Sequence, residues 1–114
     1  MRLALTLLLF ATGCLIASGS TTPAFGADFS VTSTTDAVDA NPGDGVCASA
    51  AGECTLRAAI QETNALPGAD TVQLPAGTLT LSIPGANEDA AATGDLDVTD
   101  DLTINGGTIC VDFP

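Results

Sequence analysis

A mainly β chain carrying one short helix is the fold class this sequence predicts, and three features predict it. After Asp70 the apolar residues recur at every second position in four short stretches, "TVQL", "TLTLSI", "LDVT" and "LTIN". Turn formers bound each of them: Pro75-Ala76-Gly77, Pro84-Gly85, Asp100-Asp101 and Asn105-Gly106-Gly107. Ahead of them, Thr55 to Ala65 shows the wider spacing of a helix, with Leu56, Ala59, Ile60 and Thr63 on one face.

The first 26 residues stand apart from the fold. Arg2 supplies a positive start, Leu3 to Ile16 is almost wholly apolar, and Ala24-Phe25-Gly26 places small residues before a cut at Ala27. This is the pattern of a secretory signal peptide. The apolar run is broken by Gly13-Cys14 and falls short of the roughly 18 residues that a membrane span needs. The expected location is therefore outside the cell or on its surface, with no membrane insertion after cleavage. A lipoprotein cut at Cys14 is the minority reading, because Ala11 stands where a larger aliphatic residue is expected and the apolar run continues through Leu15 and Ile16.

Removing 26 of the 114 residues leaves 88, with fourteen acids against Arg57 alone and a net charge of −13. Such a chain repels nucleic acid and anionic membrane, which call for a basic footprint. At this size a core is marginal, and staples or a larger host are usual.

Element by element, "FSVTST" alternates Phe29, Val31 and Ser33 against polar residues and reads as one edge-like strand. "DAVDANPGDGVCASAAGEC" is a loop by its glycine, proline and asparagine content. Thr55 can cap the helix, and Leu66-Pro67-Gly68 ends it. Beyond it the inward positions are Val72, Leu74, Leu79, Leu81, Ile83, Leu96, Val98, Leu102, Ile104 and Ile109. A ladder of four or five such strands fits an antiparallel meander or the coils of a parallel β-helix, and periodicity does not separate the two.

Cys47 and Cys54, with six residues between them in an exported chain, are expected to form a disulfide that closes the loop ahead of the helix. Arg57 is expected to act as a fastener. Glu53 lies four residues before it in the favourable acid-first order for an ion pair, and Glu62 and Asp70 are also near in sequence. One guanidinium can hydrogen-bond several carboxylates or carbonyls and so tie helix to sheet.

These residues also carry a resemblance. "CTLRAAIQETNALPGADTVQLPAGT", preceded by "VTSTTDAVDANPGDGVC", resembles the CSLREA domain over about residues 28 to 107. Thr55 replaces the motif's serine and Ala58 its glutamate, which removes a capping-box partner for Thr55. The resemblance implies an N-terminal region of exported bacterial proteins that continue as a right-handed parallel β-helix of the pectin-lyase-like type. It implies a signal peptide over 1–26, a cap of strand, disulfide loop and helix over 27–70, and the first coils of a truncated β-helix over 71–114. Leu56, Ala59 and Ile60 would then cover the first coil's apolar interior.

The residues nominate no catalytic, cofactor-binding or metal site. Asp39-x-Asn41-x-Gly43-Asp44 approaches a calcium loop, but Asp takes the sixth place and Ala50 stands where a bidentate glutamate belongs. Weak Ca2+ binding in that loop is the one cofactor expectation. Enzymes of the fold need clustered acids with basic residues, or paired carboxylates across a groove, and sugar sites use aromatics, of which Phe29 and Phe113 are all that follow the leader. A β-helix needs about three repeats to share a core, and Cys110 is an odd thiol. The expectation is a non-enzymatic cap module, a fragment or frameshifted reading of a longer surface protein. Its partners are downstream coils and polysaccharide. The alternative is the start of a pectin-lyase-like lyase or hydrolase whose groove lies further along.

Overall fold

The computed structural model describes residues 26–112. The signal-peptide pattern, apart from Gly26, and the Cys14 reading lie outside the described residues. Five short strands and one helix follow in the order β1 (Asp28–Ser30), α1 (Leu56–Ala65), β2 (Asp70–Gln73), β3 (Thr78–Leu81), β4 (Leu102–Asn105) and β5 (Thr108–Val111).

Every pairing between these strands is parallel. One sheet runs β1-β2-β4 and the other pairs β3 with β5. An antiparallel meander is thereby set aside. The chain instead makes the same two-strand corner twice. Asp70 pairs with Leu102, an offset of 32 residues, and Thr78 pairs with Thr108, an offset of 30. The two-residue difference lies at the corner, where Leu74-Pro75-Ala76-Gly77 is followed one layer on by Gly106-Gly107. Backbone bonds join the stacked corners, from the Leu74 N–H to the Asn105 carbonyl and from the Thr108 N–H to the Gly77 carbonyl.

Register carries the core. Parallel strands in register stack like on like, so Phe29, Val72 and Ile104 form one column, while Leu79 meets Ile109 and Leu81 meets Val111. The inner layer is buried: Val72 is 0% exposed and Leu79 2%. Helix α1 lies over this layer, and Leu56, Ala59 and Ile60 join Val31, Val72, Leu79, Leu81 and Ala91 in one cluster. The outer layer is open, with Ile104 38%, Ile109 40% and Val111 60% exposed.

The helix begins as its sequence dictates. Thr55 has extended backbone and its hydroxyl accepts from the Ala58 N–H at 3.0 Å. Leu66 ends the helix in extended conformation, donating its N–H to the Glu62 carbonyl. One expectation is corrected here. The apolar face reads as a single stripe, yet Leu56 through Thr63 are all buried, Arg57, Gln61 and Glu62 included. The loop before the helix and the segment after β3 cover its polar side. A second correction concerns "LDVT". Residues 96–99 form no ladder, because the Asn64 side chain takes their backbone groups: its amide donates to the Asp97 carbonyl and accepts from the Thr99 N–H.

Cys47 and Cys54 are bonded, as their spacing leads one to expect, and Cys110 is free and exposed. The bridge fixes the turn from which the Cys54 carbonyl accepts from the Thr32 and Ser33 N–H groups, tying the end of the first strand to the start of the helix. Loop-closure entropy for so short a ring is about 2.5 kcal/mol. Replacing both cysteines with serine should lower the urea-unfolding free energy by roughly that amount. An unchanged midpoint would show that the loop's hydrogen bonds suffice without the bridge.

Candidate functional site

The polar features of the molecule gather around the exposed-looking residues of a helix that is in fact enclosed. Arg57, in the first turn of α1, is 0% exposed. Its Nε donates to Asp36 Oδ1 at 2.6 Å and one terminal nitrogen to Asp36 Oδ2 at 3.1 Å, a bidentate pair. The two terminal nitrogens also donate to the carbonyls of Ala91 at 3.0 Å and Gly94 at 2.7 Å. Asp36 Oδ2 in turn accepts from the N–H groups of Ser82 and Ile83. One ion pair thus joins the segment after β1, the helix, the end of β3 and the loop before β4.

This corrects the expected partner. Arg57 pairs with Asp36, 21 residues away, rather than with Glu53. Glu53 lies in an exposed turn ahead of the cap, whereas the arginine side chain runs inward. Burial alone pushes the Asp36 carboxyl up; the hydrogen bonds from Arg57, Ile83 and Ser82, with the guanidinium's charge, hold it below the usual carboxylate range. Sequence spacing points to neighbours on a helix, so a partner from a distant loop left no local signal.

A second group involves three acids. Carboxylate oxygens of Asp39, Asp44 and Glu62 lie within 4.8 Å of one another. Glu62 is fully buried, and its two oxygens accept from the Gly43 and Gly45 N–H groups at 2.7 and 2.8 Å. Both glycines have positive φ, 95° and 84°, a conformation that other residues rarely adopt, and their two amides converge on one acid. Asp39 accepts from Asn41 and Ala48, and Asp44 from Val46 and Asn41. Each of the six oxygens therefore already has a donor. Calcium wants six to eight oxygen ligands, and three acids already bonded to amides of the 41–48 loop are a poor set.

A third group closes the segment between β3 and β4. Glu88 accepts from the N–H groups of Thr93, Ala90 and Ala92, which hold its carboxyl below the usual range. This wrap places Ala91 in a left-handed conformation, φ 54°, with its carbonyl on Arg57. Asp97 is raised instead, first by burial and then by the charges of Asp95, Asp89 and Glu88.

The described residues enclose no pocket, and none of their helices is long and apolar enough to cross a membrane. No protein-family model, curated protein or solved structure matches the chain.

Removing Asp36 leaves a buried, unpaired guanidinium. Asp36→Ala should therefore cost about 3–5 kcal/mol in urea unfolding, and Arg57→Lys, which keeps charge but loses the fork, should also destabilise. The folded Asp36 pKa is depressed, so its contribution is complete above the unfolded value of about 3.9 and is lost as pH falls through the folded one. Acid titration of stability should be flatter in Asp36→Asn than in the parent over that window. Identical profiles would contradict the assignment. For calcium, calorimetry at physiological salt should show no stoichiometric micromolar site.

Proposed function

We propose that the chain is a non-catalytic cap: the exported N-terminal region and first coils of a right-handed parallel β-helix protein of the bacterial surface, similar to the CSLREA domain. In this reading α1 shields one end of the stack, and further coils of a longer protein add to β4 and β5. An adhesin-like or polysaccharide-associated role follows from the fold analogy.

The observation that supports this reading is the asymmetry of the two ends. Two in-register layers repeat the same corner, and the layer beneath the helix is buried. On the outer layer, Ile104, Ile109 and Val111 continue the columns of Val72, Leu79 and Leu81, with a face and two strand edges unpaired among the described residues. Stacked repeats share their core with neighbours, so an uncovered last layer calls for another one on top. Asp36, Asp39 and Glu62 are occupied in holding loops, and their clusters face the chain's own backbone.

Sedimentation of the exported chain tests this. Without a following coil it should associate in a concentration-dependent way through the open layer, and Ile109→Lys with Val111→Lys should restore the monomer. A parent that is monomeric at every concentration, with a cooperative melt above about 60 °C, would mark a self-sufficient domain and sink the cap reading.

A further inference from the structure

Asp70 opens β2 and is 1% exposed. Its Oδ1 accepts from the Ala27 N–H at 2.7 Å, while Oδ2 is buried with no hydrogen-bond partner among the described residues. The one described cation, Arg57, is committed to Asp36. A buried carboxylate with a single neutral donor is an expensive arrangement, and natural folds rarely leave one unexplained.

The donor's identity suggests the explanation. Ala27 is the residue that the signal-peptide pattern leaves first. Its position is fixed from its other side, where its carbonyl accepts from the Thr71 N–H at 2.8 Å and Asp28 starts the β1 ladder. The position before it has no room for a side chain: a carbon added to Gly26 would sit 1.7 Å from the Ala69 carbonyl oxygen. The folded arrangement accepts glycine at that position, or nothing.

We propose that hydrolysis of the Gly26–Ala27 peptide bond during export completes this site, turning Ala27 into the charge partner of Asp70. Water adds across the amide; Gly26 departs with the new carboxylate, and Ala27 keeps its nitrogen as an α-ammonium. An amide offers one N–H and an ammonium three, so Oδ2 gains its missing donor with the backbone already in place. The charged donor also makes a stronger bond than the amide it replaces. Cleavage becomes a latch that pins the first strand to β2. The inference rests on the export reading of residues 1–26 and is independent of what stacks on β4 and β5.

The chain has no lysine, so after cleavage the α-amine is the only amine, and an amine-acylating ester reports on it alone. The full chain, expressed with its leader and recovered after export, should begin at Ala27 by N-terminal sequencing. Its native form should label about tenfold or more slowly than the same protein in urea, because reaction requires local opening. Asp70→Asn should label near the unfolded rate. A product beginning at Gly26 keeps the Ala27 amide and the fold but has its amine off the site, so it too should label near the unfolded rate; this arm decides if Asp70→Asn fails to fold. A mature start at another residue, native labelling as fast as in urea, or equal protection in the Gly26 product overturns the latch.

Discussion

The contact on which the rest of this structure depends is the buried pair between Arg57 and Asp36. A guanidinium out of water is tolerable only when its donors are met, and here four bonds meet them, two from one carboxylate and two from loop carbonyls. Directly or through Asp36, the arginine gathers three separate segments. The segment after β1 approaches because it carries Asp36, the end of β3 because Ser82 and Ile83 donate to the same acid, and the 84–95 loop because Ala91 and Gly94 present their carbonyls. Placement of the helix over the inner apolar layer follows from that convergence as much as from Leu56, Ala59 and Ile60. Apolar burial supplies most of the driving force but is indifferent to direction. The fork geometry of the arginine supplies direction.

Much of this was legible in the sequence, and the limits have physical causes. The helix, its Thr55 cap, four strand positions and the disulfide all rest on local rules, and each came through. Strand direction did not, because a period of two is the same in parallel and antiparallel ladders. "LDVT" fails as a strand for a different reason: its alternation is real, but Asn64 captures the backbone groups that a ladder would use. Arg57 was legible as a fastener and not in its partner, since a contact over 21 residues of loop leaves no periodic trace. Glu62 was missed as a loop-holder. The signal available was Gly43-Asp44-Gly45, two glycines flanking one residue, which marks a tight reversal but does not say which acid fills it.

The burial of Gln61 and Glu62 shows what the amphipathic pattern leaves out. A helix whose polar face meets water needs nothing specific there. This one has its polar face roofed by loops, so each polar group must find a bond inside: Gln61 accepts from the Asp39 N–H and donates to the Ala90 carbonyl, while Glu62 takes Gly43 and Gly45. The roof is consequently tied to the helix by directional contacts rather than by apolar area, which the small, polar loops could not provide.

That arrangement gives the acidity of the chain a structural meaning. With one arginine among the described residues, a single acid, Asp36, is held by an ion pair, and many of the others serve as acceptors for backbone amides. Asp36, Asp39, Asp44, Glu62 and Glu88 each take two or more donors with both carboxylate oxygens engaged. A carboxylate does this better than a hydroxyl or an amide side chain, because its two oxygens both accept and its charge strengthens each bond. Long irregular segments between few strands leave many N–H groups that no ladder satisfies, and the acids meet that need. The cost is mutual repulsion: Asp97, raised first by burial, is pushed further up by the charges of Asp95, Asp89 and Glu88. Asp70 differs from these five: it is buried with a single donor, and its Oδ2, like that of the half-buried Asp97, has no partner among the described residues.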